Sequence, residues 1–263
     1  MANVYDLNGK AVEQMELPGV FSTPYRPDVI QRAVLSAQSS RRQPYGSDPL
    51  AGKKTSAHYH GRRKYRFTMM NREMARIARV HGKVGYMAFR ARFVPQAVKG
   101  RRAHPPKAAK VWEERINAKE KRLALISALA AGAQQELVTK RGHKVGTEVP
   151  IIFVDNFENL ARTKDVKALL EKLLPAELTR SAEKKVRAGR GKMRGRRYKT
   201  KKGPLIIVSR QCDLVKAARN IPGIDVATPS TLGTELLAPG THAGRFLILT
   251  KAACAALEKK YGA

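Results

Sequence analysis

The sequence predicts an α/β fold: a central, mostly parallel sheet flanked by helices, with a long extended basic arm inserted and a second basic loop. Three observations point there. After residue 111, helix-period segments alternate with short apolar runs, and parallel strands need helical crossovers. The runs PIIFVD, PLIIVS and RFLILT are apolar without alternation, as strands covered on both faces are. Charge is also concentrated: residues 41–110 hold 19 Lys and Arg against 2 acids, and 187–202 hold 9 against none. The other 177 residues hold 24 against 19, an ordinary balance for a globular core. The expected organisation is therefore a globular domain from 1–40 and 111–263, an arm over 41–110, and a basic loop over 187–203.

The elements follow in order. VYDL (4–7) reads as a short strand. YRPDVIQRAVLSAQSS reads as a helix, with Pro27 suited to its first turn and Ile30, Ala33, Val34 and Ala37 on one face. Prolines and glycines in RRQPYGSDPLAGKK end it. From 41 to 110 no sustained period appears, apart from a short helical turn near 72–80. So long a segment without structure of its own is rare inside a compact domain and is expected to be functional. A helix is expected from Val111 to about 131, with Trp112, Ile116, Leu123, Ile126 and Ala130 as its stripe. PIIFVD (150–155) follows as a strand, then TKDVKALLEKLL as a helix capped by Thr163, then a helix from Pro175 to about 186. Beyond the second basic segment come a strand at 204–209, a helix near 211–219, a strand at 223–228, a helix near 230–237, a strand at 245–250 and a last helix at 251–260.

The net charge of +31 on 263 residues repels itself unless a polyanion neutralises it. Nucleic acid is the leading partner and an acidic membrane surface a weaker second. The two thiols, Cys212 and Cys254, fit no metal or redox spacing and suit an intracellular protein. MANVYDLNGK has neither the basic nor the apolar region of a signal peptide, and LALISALAAGA is too short to span a bilayer. A soluble protein without membrane contact is expected.

Other chemistries are weighed and set aside. AGRGKMRGRR and LAGKKTSAH lack the Gly-Lys-[Ser/Thr] spacing and strand–helix context of a phosphate loop. In HYH, His58 and His60 lie on one side of an extended chain, but nothing nearby in sequence completes a tetrahedral set, so no metal and no cofactor are expected. A parallel sheet binds ligands beyond the carboxyl ends of its strands. Those ends carry Asp155, Asn156, Ser209, Thr228, Ser230 and Thr250, which also suit helix caps. An RNA-modifying or nucleolytic enzyme with a basic substrate clamp is thus the alternative reading, with Asp155 its first candidate.

The basic segments fit RNA better. Arg and Lys neutralise phosphates and release counterions. Tyr59, Tyr65, Phe67, Tyr86, Phe89 and Phe93 interleave with the arginines, and such rings stack on unpaired bases. Glycines at 46, 52, 61, 82, 85 and 100 allow close backbone approach. Arg outnumbers Lys by 12 to 7 over 41–110, which favours bidentate phosphate contacts and stacking.

YGSDPLAGKKTSA, VPQAVKGRRAHPPK, KEKRLALISALAAGA, VTKRGHKVGTEVPIIFVDNFENL, AGRGKMRGRRYK and VATPSTLGTELLAPG together resemble the L-four (universal four) family of large-subunit ribosomal proteins, in its archaeal form. The resemblance runs from about 20 to 255. It implies a structural, non-enzymatic constituent of the large ribosomal subunit, in the cytoplasm, that aids subunit assembly. Its globular domain would face outward and its arm would run inward through ribosomal RNA. The partners implied are ribosomal RNA, neighbouring large-subunit proteins and, at the arm tip, the nascent peptide in its exit tunnel. NREMARIARVHGKVG (71–85) matches the tip, which implies tunnel-lining roles for Arg72, Arg76, Arg79, His81 and Lys83. A turn of the arm would fall near Val80–Gly85. The residues expected on RNA are Arg41, Arg42, Lys53, Lys54, Tyr59, Arg62, Arg63, Lys64, Tyr65, Arg66, Arg90 and Arg92 on the arm. On its returning limb they are Lys99, Arg101, Arg102, His104 and Lys107, and on the second loop Arg187, Arg190, Lys192, Arg194, Arg196, Arg197, Tyr198 and Lys199. The chain stops at Ala263 without the long basic tail of eukaryotic relatives, which favours an archaeal source.

Overall fold

The computed structural model describes residues 2–81, 85–146 and 148–262. The chain divides into two compact units, Met1–Arg41 with Glu113–Ala263, and Arg42–Trp112. In the first, β1 (Ala2–Tyr5) and β2 (Ala11–Met15) precede α1 (Pro27–Ser40). Then come α2 (Ala118–Gly132), α3 (Gln135–Lys140), β3 (Ile151–Phe153), α4 (Thr163–Leu173) and α5 (Pro175–Ala182). A hairpin of β4 (Lys184–Val186) and β5 (Tyr198–Thr200) follows. The remainder is β6 (Leu205–Ile207), α6 (Asp213–Ala218), β7 (Asp225–Ala227), α7 (Thr234–Leu237), β8 (Leu247–Thr250) and α8 (Lys251–Tyr261).

Six strands form one sheet in the order β2-β1-β3-β8-β6-β7, parallel except where β2 pairs with β1. The expected α/β class with a mostly parallel sheet is what the chain adopts. β3, β6 and β8 are buried along their whole length, which explains their unalternating apolar sequences. Successive side chains still point to opposite faces. Ile152, Leu205, Ile207, Leu247 and Leu249 join the core under α1, α2 and α8. Ile151, Phe153, Ile206 and Ile248 join the core under α4 and α6.

Several boundaries differ from expectation, each for a physical reason. β1 begins two residues early because its partner is β2, an exposed edge strand whose mixed sequence gives no strand signal. The helix expected from Val111 starts at Ala118. Trp112 meets the Tyr45 ring at a tilt in the second unit, and Ile116 packs on Val29, Ala33 and Ala124 without being helical. α2 is buried on most sides, through Ala124, Leu125, Ala128, Leu129, Ala130 and Ala131; of the expected stripe Ala130 is buried and Ile126 half-buried against the core, while Leu123 is exposed. A helix rich in small apolar residues has little sequence contrast to mark its face. Thr163 is the first residue of α4, not its cap; Arg162 stands at the cap position with no side-chain bond. α5 ends at Ala182 because Lys184–Val186 pair with a strand across the second basic segment.

The second unit is built of turns, with two isolated antiparallel bridges, His58 with Arg79 and Arg79 with Ala91. No helical turn forms near 72–80. Asn71 and Glu73 both have φ of 54°, outside the right-handed helix, and Arg79 is in the bridge. Among the described residues of this unit, Met69 and Val80 are the buried hydrophobics. The expected turn near Val80–Gly85 lies largely outside the described residues.

Candidate nucleic-acid interface

Within the second unit an outgoing and a returning limb run side by side. Ser47 N–H donates to the Pro106 carbonyl at 3.0 Å. A Cβ at Gly46 would meet the Ala108 nitrogen at 2.5 Å, and one at Gly52, where φ is +74°, would meet Arg101 Cα at 2.7 Å. The close approach these two glycines permit is to protein backbone of the opposite limb.

The unit's arginines divide into two groups. Arg79 donates to the Ala75 and Phe89 carbonyls, Arg92 to the Val98 carbonyl at 2.6 Å, and Arg72 to the Arg66 carbonyl at 3.1 Å. These guanidiniums tie irregular backbone together where no sheet ladder does so. Arg62, Arg63, Lys64, Arg66, Arg76 and Arg90 stand exposed, as do Arg42, Lys53, Lys54, Lys99, Arg102, His104 and Lys107. Arg101 is half-buried against Gly52. Lys54 pairs with Asp48, and Arg41, on the first unit, pairs with Glu235. Lys83 lies outside the described residues.

Aromatic rings are likewise shared between inner and outer roles. Phe67 faces Tyr65, His81 and Phe89, with Arg66 over its ring and Arg72 over that of Phe89. Tyr59, Tyr65, Tyr86 and Phe93 remain exposed, Tyr86 most of all at 78%. At the base of the limbs the rings of Tyr45 and Trp112 meet at 5.0 Å, tilted by 30°, with Arg42 and Lys110 over the indole. They edge a groove of about 570 Å³ that includes Arg102, His104 and Lys107. Cations and ring faces set together in this way suit phosphate and base in combination.

His58, His60 and His81 converge although the third is distant in sequence. The His60 and His81 Nε2 atoms lie 3.3 Å apart. Burial, with His58 and His81 beside it, pushes the His60 pKa below the usual imidazole value, so the ring is neutral at pH 7. His81, implied to face the tunnel, is half-buried in this cluster.

On the first unit, the β4–β5 hairpin displays the second basic segment. Gly189 and Gly195, both at φ 77°, bend the chain through a 3-10 turn that exposes Arg190, Lys192 and Arg194. Arg196, Arg197, Tyr198 and Lys199 are exposed too, with Arg197 over the Tyr198 ring. Arg187 instead turns inward and donates to the Arg196 carbonyl at 3.0 Å. Beside the hairpin lies a basin of about 930 Å³ lined by Lys140, Arg141, Arg180, Lys185, Lys199, Lys201 and Lys202. Burial first, and then Arg245 and Arg180 nearby, lower the Arg141 pKa to about 10.

The sequence reading missed Lys140, Arg141, Arg180 and Lys185, which become a cluster only when α3, α5 and the hairpin meet. It also missed the supports beneath them. Glu177, 1% exposed, accepts from His143 Nδ1 at 2.7 Å, from Arg180, and from the Lys144 N–H at 2.9 Å. Arg245 is buried in a run read as plain strand; it pairs with Asp225 at 2.7 Å and donates to the Gly203 and Leu236 carbonyls. Salt-bridge spacing of Glu177 and Arg180, three apart on a helix, was the one local signal.

The polar residues at the strand ends serve the fold. Asp155 accepts from the Ala252 N–H at the start of α8, and Thr250 caps the same helix. Buried Glu158 accepts from the Ser209 N–H and hydroxyl and from the Thr250 hydroxyl. Thr228 bonds within its own turn to Ser230 and Thr231.

Comparison with known proteins agrees with this picture. The model of the ribosomal protein L4/L1 family matches residues 15–260. Relatives described as large ribosomal subunit protein uL4 match along nearly their whole lengths. That of Methanocaldococcus jannaschii is 48% identical over 263 residues, covering 99% of each chain. That of Nanoarchaeum equitans is 48% identical, covering 98% of this chain and 97% of its own. That of Methanosphaera stadtmanae is 44% identical over 255 residues, covering 95% and 93%. With a family match over most of its length and archaeal relatives at this identity, the chain belongs to the ribosomal protein L4/L1 family, in its archaeal form.

Proposed function

We infer that this chain is a structural constituent of the large ribosomal subunit, in the cytoplasm, and holds ribosomal RNA on two cationic surfaces. The observation that carries the reading is the end-to-end match to proteins described as large ribosomal subunit protein uL4. The charge partition supports it: the two basic segments hold 28 of the 52 Lys and Arg with 2 of the 21 acids. The family is one of ribosomal proteins, and the enzymatic alternative has no support beside it.

The segment 41–110 acts as an RNA-binding arm inserted in the α/β domain. A unit with Met69 and Val80 as its buried hydrophobics, among the described residues, has little core of its own. Ordering each backbone residue costs about 1–2 kcal/mol, so phosphate contacts supply what the missing core does not. The exposed arginines neutralise phosphates, and Tyr59, Tyr65 and Tyr86 stack on unpaired bases. Arg101, Arg102 and Lys107 do the same on the returning limb, and the β4–β5 hairpin forms the second contact. The tip, with Arg72, Arg76, Arg79, His81 and Lys83, lies by the nascent peptide in the exit tunnel. Neighbouring large-subunit proteins complete its surroundings.

The test is sedimentation in high salt. Tagged chain is expected to remain with purified large subunits through a wash that strips loosely held proteins. Complete removal from subunits that stay intact would reject the structural role.

A further inference from the structure

We propose that His58, His60 and His81 form a three-histidine site for one Zn²⁺ ion, joining two passes of the chain in the second unit. The inference stands on the histidines and does not depend on the ribosomal reading. One ring nitrogen from each lies within 4.8 Å of the other two. The 3.3 Å between the His60 and His81 Nε2 atoms already matches a tetrahedral zinc site, whose nitrogens at Zn–N bonds of about 2.0–2.1 Å stand about 3.3–3.4 Å apart. The rings meet edge-on, with centroids at 4.1, 4.1 and 4.4 Å and interplanar angles of 64°, 81° and 81°.

Two further observations point to a ligand. His58 Nδ1 lies 3.0 Å from the Ser56 carbonyl, which can only accept. That contact places the proton on Nδ1 and leaves the lone pair on Nε2, the way a metal-binding histidine is held in one tautomer. His81 Nδ1 is buried with no hydrogen-bond partner. An orphaned buried nitrogen is unusual and marks the cluster as incomplete.

The chemistry selects the metal. Imidazole suits zinc and its transition-metal neighbours over the hard ions Mg²⁺ and Ca²⁺, and three neutral ligands leave one position of a tetrahedral zinc site open for water. Tyr65 and Phe67, with rings 4.6 Å from His60 and 4.9 Å from His81, wall one side. The surrounding guanidiniums oppose a dication, but over water that term is screened within about 8 Å, whereas the bonds to nitrogen are local. The ion would link His58 and His60 to a residue 21 positions beyond His60, beside the bridge of His58 with Arg79. It would thus cross-link two passes of the chain, 58–60 and 79–81, in a unit with little apolar core, ordering them before RNA arrives.

The experiment uses the full chain, stripped of RNA in high salt and of metal with a chelator. Zn²⁺ is titrated against a chromophoric competitor, and Co²⁺ is followed by its visible absorption. One Zn²⁺ per chain is expected, together with a tetrahedral Co²⁺ spectrum that Zn²⁺ abolishes. His60→Ala and His81→Ala should each weaken binding about 100-fold or more, while Cys212→Ser leaves it unchanged. Far-UV circular dichroism should be the same in all of them, since the three hydrophobic clusters contain no residue of this unit. Zinc should also slow proteolysis between 56 and 92. Absence of stoichiometric binding by the wild-type chain, or binding undiminished in both histidine variants, would overturn the site.

Discussion

At the scale of single residues, the fold spends its few buried charges on holding cationic surfaces in place. Glu177 is the plainest case. Burial alone would raise its pKa, but hydrogen bonds from His143, Arg180 and the Lys144 N–H outweigh that and hold it at about 2. A carboxylate with a depressed folded pKa stabilises the protein above its unfolded value, and that contribution is lost as pH falls through the folded one. The window here runs from the ordinary value of 4.5 down to about 2. Burial lowers the pKa of His143 against the pull of Glu177, so the ring is neutral in the fold. Its unfolded form takes a proton near pH 6.5, and stability should begin to fall there on acidification. Glu177→Gln is expected to cost about 2–4 kcal/mol at pH 7, because it leaves buried donors facing a neutral amide. Urea denaturation at several pH values should show that gap narrowing as pH falls below about 4.5 toward 2. A gap that stays constant would mean the carboxylate's charge contributes nothing.

At the scale of elements, the β4–β5 hairpin separates stability from binding. Every residue of both strands is exposed, and no residue of the 3-10 turn between them is buried. Its cations are therefore spared any packing duty, with Arg187 the exception through its bond to Arg196. Arg194→Ala with Arg197→Ala should leave the melting temperature within about 1 °C, since exposed changes of this kind cost little. RNA affinity should fall, and the slope of log K against log salt should shrink by about 1.4–1.8, the value for two phosphate contacts. An unchanged slope measured on a ribosomal RNA fragment would remove this hairpin from the interface. Elements of this sort were only half legible in the sequence. The strands β3, β6 and β8 stood out because burial on both faces leaves an apolar run with no other reading. α1 stood out because Pro27 and one apolar stripe agree. β2, β4 and β5 did not, because an exposed strand is defined by its partner and carries no apolar signature of its own. The basic segments were visible as composition, whereas the junction of Lys140 and Arg141 with Lys185 and Lys202 needed the fold to bring them together. His81 falls in the same class: its meeting with His58 and His60 depends on a chain reversal that no local pattern encodes.

At the scale of the whole molecule, the two units carry different burdens. Among the described residues, all three hydrophobic clusters lie in the first, and none of their residues falls between 42 and 112. The ends of that first unit are also tied where the second departs. Ser39 Oγ accepts from the Glu114 N–H at 2.9 Å, and Ser36 Oγ donates to the Glu114 carbonyl at 2.6 Å. A short Gly-Ser linker replacing 42–112 therefore closes a junction already formed by α1, at little entropic cost. The shortened chain should unfold in one cooperative transition, keep its helical circular dichroism, and melt within a few degrees of the full chain. It should nonetheless fail to enter large subunits when it is the only copy supplied, because the phosphate and stacking contacts of the deleted unit are gone. Both measurements are needed, since they separate folding from assembly. A shortened chain that aggregates or melts broadly would show that the α/β unit relies on residues 42–112. One that folds and still assembles normally would place the binding energy on the hairpin and basin instead.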